Sequence, residues 1–427
     1  MPSTRRTFLY GCSAAAATLA GARFSFAAFG RSSATSPVLV VIFLRGGADG
    51  LSMVAPLDGV DRAFYEAARP RLALPRSGPD ALLPLDGRFG LASVAAPLVN
   101  FYQRGKVAIV VACGLTDDTR SHFDAQEYME LGTPGTRSTS SGWLARLLSS
   151  DAGGLPPVLF PSLAVGSTQP SSLRGFRGAV AMDDPDSFLL NTGPWQWQEA
   201  QRAALRRLCS AGASRLHGAA SRALDAVDLV ESLALDSVPP AGGVVYPEND
   251  IGRRLRLVAG MIRLDIGLRA ATLDIGGWDT HVEQAWAPAA GAFPSLLGAL
   301  AEGLAAFLAD LEAAPGGSWG ERVTVVVMSE FGRRLRENAD RGTDHGHGNV
   351  MLVLGGGVRG GVHGAWPGLA PEQLYDGADL AITTDYRRVL SEIAVRRFAN
   401  PAISTIFPGY QGYAPLGVVE GSDLAPA

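Results

Sequence analysis

The stretch from residue 323 to residue 349 constrains the fold of this chain more than any other. Its first part, Val323–Met328, is apolar and mostly β-branched, which predicts a buried strand. Glu330 follows this strand directly, and in open α/β sheets ligands bind beyond the carboxyl ends of strands. Imidazole and carboxylate groups, which suit Zn, Mn or Fe(II), then occur within four residues. The stretch indicates a metal site or, more simply, a polar loop with hydrogen-bonded histidines. The groups concerned are Asp344, His345 and His347.

Three further apolar runs predict buried strands of the same kind: Val38–Leu44, Val107–Ala112 and Ala270–Ile275. Helical patterns lie between the runs, and the longest of them extends from Phe293 to Ala313. Alternating strands and helices are typical of an α/β fold with a largely parallel sheet. We therefore expect a three-layer α/β/α fold in which the four strands belong to one central sheet with helices on both faces.

Chemically reactive side chains follow each of these strands. Asp49 comes after the first, Ser121 after the second, and Asp279 and His281 after the third. Because parallel strands end at one edge of a sheet, we expect these groups to converge with those after the fourth strand. Carboxylates, imidazoles and a hydroxyl are what a two-metal hydrolase needs. Single residues also have simpler explanations, since Asp49 fits a turn and Ser121 fits a helix N-cap.

The first residues have the pattern of an export signal. Arg5 and Arg6 form a twin-arginine motif, an apolar stretch runs from Leu9 to Ala22, and Ser25–Ala27 offers a small-x-small cleavage site. We expect residues 1–27 to be a signal peptide read by the twin-arginine translocase, and the mature protein to be periplasmic or secreted. The apolar stretch is too short to span a membrane, and we expect no transmembrane segment in the mature chain.

The rest of the chain is expected to be one domain, residues 37–415, with a helical insertion at about 183–240. A net charge of -4 without a basic cluster argues against nucleic acid as a partner. The glycine-rich stretch Gly355–Gly360 fits a dinucleotide-binding pattern, but the residues after it cannot open a helix. We therefore expect no dinucleotide cofactor.

Five motifs connect the chain to a known family. They are Phe43-Leu44-Arg45-Gly46-Gly47-Ala48-Asp49-Gly50-Leu51, Ser121-His122-Phe123-Asp124-Ala125-Gln126, Gly277-Trp278-Asp279-Thr280-His281, Ser329-Glu330-Phe331-Gly332-Arg333 and Asp344-His345-Gly346-His347-Gly348-Asn349. On these motifs the chain resembles the exported bacterial domain-of-unknown-function family 1501 (DUF1501). That family is grouped with the alkaline phosphatase-like superfamily of phosphatases, sulfatases and phosphoglycerate mutases. The resemblance implies an alkaline phosphatase-like fold.

The resemblance also implies roles for single residues. Ser121 resembles the nucleophile of the superfamily, and Glu330 takes the place of an aspartate that is paired with a histidine. Phe331 replaces that histidine here, so the chain lacks one of the side chains that the resemblance implies for a metal position. Either late histidine, His345 or His347, resembles a further ligand. The implied cofactors are divalent metal ions (Zn, Mn, Mg or Ca). The full set of expected metal ligands is Asp49, Asp279, His281, Glu330, Asp344, His345 and His347.

These observations favour an exported metal-dependent hydrolase of phosphate or related esters, acting on a small anionic substrate with a serine nucleophile. The residues around Ser121 lack the proline and arginine of the C-x-P-x-R motif of formylglycine sulfatases, so phosphate esters come ahead of sulfate esters. The alternative is a non-catalytic, metal-stabilised binding or surface protein with a degenerate site, which Phe331 favours. A third hypothesis is a redox or oxygen-using metalloprotein, which would need iron or copper.

Overall fold

The structure, a computed structural model, describes residues 36–151, 160–188, 195–233, 235, 238–315 and 319–426. The expected signal peptide, residues 1–27, lies outside the described residues. The strands are β1 (Val38–Leu44), β2 (Val54–Pro56), β3 (Leu83–Pro84), β4 (Phe89–Leu91), β5 (Val107–Gly114), β6 (Ser162–Val165), β7 (Ala179–Ala181), β8 (Ala270–Ile275), β9 (Val323–Ser329), β10 (Asn349–Gly355), β11 (Gly361–His363) and β12 (Thr384–Asp385).

Helices connect the strands. The α-helices are α1 (Gly59–Ala68), α2 (Val99–Gln103), α3 (His122–Leu131), α4 (Trp143–Ser149), α5 (Pro185–Phe188), α6 (Gln198–Ser210), α7 (Arg215–Leu233), α8 (Asp250–Arg263), α9 (Ala292–Ala313), α10 (Trp319–Arg322), α11 (Tyr386–Phe398) and α12 (Ile403–Ile406). Short 3-10 turns are Gly50–Ser52, Ser93–Leu98, Ser171–Leu173, Trp195–Trp197, Ala241–Gly243 and Pro371–Gln373.

One sheet dominates the fold, with the strand order β11-β5-β10-β9-β1-β8-β6-β7 and β12 paired to β5. Strand β1 is parallel to both β8 and β9, and β6 is parallel to β7 and β8. Strand β10 is antiparallel to both β5 and β9, so β5 runs in the same direction as β9. The prediction of four strands in one largely parallel sheet is confirmed. Strands β2, β3 and β4 form a small separate antiparallel sheet.

The central strands are buried on both faces, which is why their sequences are continuously apolar. Along β1, Val38, Val40 and Ile42 enter one hydrophobic core, whereas Leu39 and Val41 enter the other. Helices α8 and α9 supply buried residues to the first core, and α3, α4 and α11 supply them to the second. The sheet therefore lies between two helical layers, as the three-layer α/β/α prediction requires.

Two local sequence patterns differ from the structure. Residues 91–104 have the pattern of one helix, but Ser93–Leu98 is a 3-10 turn that leads into the short α2, and Pro97 inside the turn has no N–H to donate. Thr384 fits an N-cap by its residue type, but the cap of α11 is Asp385, whose carboxylate accepts from the N–H of Arg387 at 2.8 Å. Both differences concern the residue at which a helix begins.

Helix α9 is long and apolar enough to cross a membrane by length and composition alone, which the sequence analysis did not expect. Half of its most apolar window is buried inside the protein, where residues such as Leu297 and Leu304 enter the first core. It also carries the buried Asp310, which is paired with Arg263 at 2.9 Å and accepts from the Tyr246 hydroxyl at 3.0 Å. These contacts identify α9 as a core helix, and burial in the core explains why it is apolar.

The expected insertion contains α6 and α7, which belong to no sheet. None of the residues of α6 is buried, whereas α7 buries Leu224, Val227 and Val230. The boundaries at about 183 and 240 stay a prediction. At the other end the chain remains part of the core beyond residue 415, since Val418 and Val419 are fully buried. Their segment is held by Glu392, which accepts from three backbone N–H groups between residues 416 and 419.

Candidate functional site

Four loops meet at the carboxyl edge of the sheet. They follow β1, β5, β8 and β9, which all run in the same direction. The loop after β9 also leads into β10, and because β10 is antiparallel its first residue lies at the same edge. This topology explains how polar groups that are far apart in the sequence come together.

The glycine-rich turn after β1 lets the loops approach each other closely. Gly46 has a φ of 121°, and a Cβ added there would lie 2.5 Å from the backbone nitrogen of Asp279. Gly47 has a φ of 62°, and a Cβ there would lie 2.4 Å from the ring of Phe331. Both positions combine a backbone conformation that favours glycine with no room for a side chain.

Four side chains from three of these loops form what we call the strand-end cluster: His122, Asp279, His281 and His345. Potential ligand atoms of His122, Asp279 and His345 all lie within 4.8 Å of one another. Nε2 of His281 lies 2.9 Å from Nε2 of His345 and 3.0 Å from Oδ1 of Asp279. Nε2 of His345 is 3.2 Å from the same oxygen, and Nε2 of His122 is 3.4 Å from Oδ2.

The three imidazoles of the cluster share one arrangement of their ring nitrogens. Each Nδ1 lies against an oxygen that can only accept a hydrogen bond, so Nδ1 carries the proton and the neutral ring has its lone pair on Nε2. All three Nε2 atoms then point at the Asp279 carboxylate or at each other. The acceptors are Glu330 Oε1 for His122 (2.8 Å), Asp344 Oδ1 for His281 (3.1 Å) and the Arg120 carbonyl for His345 (2.9 Å).

The surroundings shift the protonation equilibria of the cluster. Burial would raise the pKa of Asp279, but the hydrogen bond and the charge of Arg333 outweigh it and lower the pKa to about 2. Burial lowers the pKa of His345, although the nearby Asp279 carboxylate opposes the change. The hydrogen bond to Glu330 raises the pKa of His122. At neutral pH Asp279 is therefore charged and His345 is neutral.

Glu330 and Asp344 were expected to be metal ligands, but they contact the cluster through its histidines. Glu330 is fully buried and accepts hydrogen bonds from Gly46 N (2.8 Å), Gln126 Nε2 (2.7 Å), His122 Nδ1 and Ser329 Oγ (3.0 Å). Burial would raise the pKa of Glu330, but the bond from His122 and the others lower it. Each of the two carboxylates lies against the Nδ1 atom of one cluster histidine and so orients its ring.

Asp49 was also expected to be a metal ligand, and the structure gives it another partner. The Asp49 carboxylate is fully buried and pairs with Arg69 through Nη1 (2.5 Å) and Nη2 (3.0 Å). Oδ2 also accepts from Ser52 Oγ at 2.7 Å and Gln284 Nε2 at 2.8 Å. Because these donors occupy both oxygens, we do not include Asp49 among the residues that could hold a metal ion.

Arg333 ties the loops of the cluster together. Its buried guanidinium donates to the carbonyl groups of Gly46, Gly47 (2.5 Å) and Thr343 (2.7 Å) and to Oδ1 of Asp279 (2.6 Å). It therefore joins the turn after β1, the loop after β8 and the loop before β10. This bond network keeps the carboxylate of Asp279 charged and fixed.

Phe331 forms the apolar wall of the cluster. Its ring centroid lies 4.9 Å from that of His122 and 4.8 Å from that of His345. The ring thus stands beside two cluster imidazoles, at the position where the family resemblance implies a histidine. Phe331 restricts how these imidazoles can turn but offers no ligand atom.

Ser121 is the N-cap of α3, as the simpler interpretation of the sequence expected. Its hydroxyl accepts from the N–H of Asp124 at 3.4 Å, a long and weak hydrogen bond. His122 is the first residue of the same helix, so the N-terminus of α3 lies at the strand-end cluster. The N-terminus of a helix favours anions through its free N–H groups and dipole.

His347 lies beside an adjoining cleft and not in the cluster. Its buried ring stacks on Tyr375 with centroids 4.1 Å apart, and burial lowers its pKa. The cleft has a volume of about 340 Å³ and is lined by Asp118, Arg120, Tyr375 and Asp376. Because the carbonyl of Arg120 accepts from His345, the cleft borders the cluster. Of the two late histidines, His345 is therefore the one that reaches the cluster.

Three residues of the site have no role predicted from the sequence: His122, Arg333 and Arg69. His122 and Arg333 stand inside the family motifs, in which Ser121 and Glu330 are the predicted site residues. A histidine at the start of a helix that follows a strand was the available signal for His122. Arg69, at the end of α1, has no such signal, because its role depends on how α1 packs against the turn after β1.

The donor set of the strand-end cluster fits a divalent metal ion. Metal-bound histidines usually donate their other ring N–H to a carboxylate or a carbonyl, and all three imidazoles here do so. Nε2 of His122 is buried without a hydrogen-bond partner among the described residues. Nε2 of His281 and Nε2 of His345 face each other at 2.9 Å, so two neutral rings with these lone pairs repel unless a proton or a metal ion is bound there. Nitrogen and carboxylate ligands suit Zn and related metals.

Comparisons with known proteins give one family. Residues 135–399 match the model of a family described as protein of unknown function (DUF1501). No curated protein matches the chain. Among solved structures, the chain is similar to Ps i-CgsB, with 11% identity and a TM-score of 0.36 over 77% of this chain and 68% of that chain.

Two further solved structures have comparable similarity. One is the lipoteichoic acid synthase LtaP from Listeria monocytogenes, with 8% identity and a TM-score of 0.35 over 92% of this chain and 77% of that chain. The other is a protein in the alkaline phosphatase superfamily from Vibrio parahaemolyticus, with 8% identity and a TM-score of 0.30 over 83% and 70%. TM-scores this low carry no conclusion about chemistry, which has to come from the chain's own residues.

Proposed function

The chain belongs to the DUF1501 family, and from that premise and the geometry of its strand-end cluster we propose that it is an exported, metal-dependent hydrolase of phosphate or related esters. The family description names no activity. The proposal therefore depends on the residues at the carboxyl edge of the sheet.

The common orientation of the three imidazoles carries the proposal. Each ring of His122, His281 and His345 has its Nδ1 bonded to an acceptor and its Nε2 directed into the cluster. A histidine with a purely structural role does not need this arrangement, in which Nδ1 donates to an acceptor and the lone pair of Nε2 stays available. Three of them around one ionised carboxylate, Asp279, form a set of ligands prepared for a cation.

The chemistry beside the cluster favours an anionic ester as substrate. The N-terminus of α3 offers backbone N–H groups that have no partner within the helix, next to the hydroxyl of Ser121. A phosphate group there could accept hydrogen bonds from these N–H groups, close to His122, which would help to hold the cation. The cleft lined by Arg120 and Tyr375 borders the same edge and has room for the rest of a small substrate.

The roles of the residues follow from their contacts. His122, His281, His345 and Asp279 would hold the metal ion, and Glu330, Asp344 and Arg333 fix these ligands in position. When bound, a divalent ion supplies Lewis-acid stabilisation of the negative charge that develops on the ester oxygens. Ser121 is the proposed nucleophile, because among the described residues its hydroxyl has only the long cap bond from the N–H of Asp124. The N–H groups of α3 would stabilise the oxyanion.

A panel of aryl esters tests the proposal. The full chain, purified without chelator, is assayed on p-nitrophenyl phosphate, bis-(p-nitrophenyl) phosphate and p-nitrophenyl sulfate, and its metal content is measured on the same sample. We expect turnover of at least one phosphate ester that is lost on chelation and regained on adding Zn²⁺ or Mn²⁺. His345→Ala should lose both metal and turnover. Turnover that is insensitive to chelation would contradict the proposal.

One observation favours the second candidate function, a metal-stabilised binding or surface protein without catalysis. Phe331 packs against His122 and His345 and contributes no ligand atom, at the position where the resemblance implies a histidine. A protein of this kind would bind metal with the same residues but would turn over none of the esters. The panel, read together with metal content, separates the two functions.

Export forms a further part of the proposal. It is supported by Arg5 and Arg6 and by the apolar stretch Leu9–Ala22 that follows them. The twin-arginine translocase carries folded proteins, so a metal ion could be bound before export. The expected location is the periplasm or the medium.

A further inference from the structure

We infer that the strand-end cluster takes a single divalent cation, because the buried guanidinium groups of Arg69 and Arg333 stand where a second cation would otherwise be needed. The inference goes beyond the proposed function. It rests on that function in one respect only, the presence of a metal site. It departs from the two-metal arrangement expected from the sequence. It also gives a function to two arginines for which the sequence predicts no role.

The first of these arginines neutralises Asp49. All five N–H groups of Arg69 are used: they bond both carboxylate oxygens of Asp49, the Ser52 hydroxyl, and the carbonyls of Arg334 (2.9 Å) and Leu335 (2.8 Å). The side chains of Arg69 and Asp49 are both fully buried. A cation at Asp49 would have to displace a bidentate ion pair from the core, which would leave the arginine charge buried and unpaired.

The second arginine neutralises one oxygen of Asp279. Arg333 is fully buried and its Nη2 lies 2.6 Å from Oδ1 of that carboxylate. The same guanidinium donates to the backbone carbonyls of Gly47 and Thr343, so it cannot turn away without breaking the contacts between loops. Asp279 therefore has one guanidinium on one side and the three imidazoles on the other.

The charges at this edge of the sheet also favour a single divalent ion. Asp49, Asp279, Glu330 and Asp344 are ionised, and Arg69 and Arg333 supply two positive charges, which leaves two negative charges. One divalent ion cancels them when the histidines are neutral ligands. Two ions would leave an excess of two positive charges beside the buried guanidinium groups of Arg69 and Arg333, and like charges repel at short range. Arg120 and Arg334 do not change this count, because they lie against Asp376 and Asp379.

Cobalt titration of the full chain tests the inference without relying on activity. The metal-free protein is titrated with Co²⁺ while the d–d absorption is recorded, and bound Zn²⁺ is measured separately by elemental analysis after gel filtration. We expect both measurements to saturate at about one equivalent per chain. His345→Ala should lose most of the cobalt absorption.

A double variant tests the role of Arg69 directly. Asp49→Asn combined with Arg69→Met removes both charges of the buried pair and leaves the net charge at the edge unchanged. It should still take about one equivalent, whereas loss of metal would identify Asp49 as a ligand and overturn the inference. Two equivalents in the unaltered protein would overturn it as well, and that measurement stands even if the double variant does not fold. One equivalent without hydrolysis of any ester would reject the proposed function and leave the inference intact.

Discussion

At the scale of single residues, Glu330 links the buried edge of the sheet to the strand-end cluster. It holds the Nδ1–H of His122 at 2.8 Å while three other donors fix its own carboxylate. The position of the Nε2 lone pair of His122 therefore depends on Glu330. Substitution of a carboxylate that bonds a metal-ligating histidine usually lowers metal affinity strongly, although the carboxylate does not touch the metal.

Glu330→Gln should lower metal affinity roughly 10- to 100-fold, because an amide is a weaker acceptor and can turn its NH₂ toward His122. Competition with a chromophoric chelator measures the change. The exposed Glu302 in the middle of α9 provides the matched control, and Glu302→Gln should leave affinity unchanged. Equal affinity in both variants would show that His122 is not a ligand oriented by Glu330.

Asp49→Asn should destabilise the fold by about 3–5 kcal/mol at neutral pH, because it leaves Arg69 buried without its counter-charge. Burial would raise the pKa of Asp49, but Arg69 outweighs it and lowers the pKa. A lowered pKa in the folded state stabilises the protein above the unfolded pKa, and this contribution is lost as the pH falls. The difference from the unaltered protein in denaturant unfolding should therefore shrink between about pH 5 and pH 2. A constant difference would refute this account.

Single residues also mark the limit of prediction from sequence. His122 and Arg333 could have been found, because each stands in a family motif in a loop region that follows a strand. Arg69 could not, because it lies 20 residues after Asp49 and meets it only through the packing of α1. The same holds for Gln284, which bonds Asp49 from a loop more than 200 residues away. Buried pairing between distant segments leaves no local pattern in the sequence.

At the scale of elements, the strands were the most predictable part of the chain. A strand covered on both faces must be apolar along its whole length, so Val38–Leu44 and Ala270–Ile275 were predicted with the bounds that the structure has. Helix starts were less predictable, as Thr384 and Asp385 illustrate, because neighbouring residues compete to cap the same N–H groups. Asn249, a residue type that favours the N-cap position, caps α8 by accepting from the N–H of Gly252.

Ser121→Ala separates the two roles that remain open for this residue at the start of α3. If Ser121 is the nucleophile, hydrolysis should be lost while metal content stays near that of the unaltered protein. Loss of the cap alone should cost about 1 kcal/mol of unfolding free energy. Asn249→Ala is the matched control, since it removes the N-cap of a helix that contributes no residue to the cluster. If Ser121→Ala costs similar stability and keeps full hydrolysis, Ser121 is only a cap.

At the scale of the whole molecule, export is the prediction that the twin-arginine motif makes. Arg5→Lys combined with Arg6→Lys should abolish export, because the translocase reads the arginine pair. Cell fractionation measures the share of protein outside the cytoplasm. Arg23→Lys, in the same segment but outside the pair, should be exported normally. Unchanged export of the double variant would show that this motif is not the signal.

The whole fold brings the cluster together, since its ligands come from loops after β5 and β8 and before β10. Anomalous diffraction at the zinc edge, from crystals of the zinc-loaded full chain, tests this most directly. The account predicts one strong peak at about 2.0–2.1 Å from Nε2 atoms of the cluster histidines and bonded to the Asp279 carboxylate. A peak at Asp49 or His347, or no peak at the cluster, would contradict it.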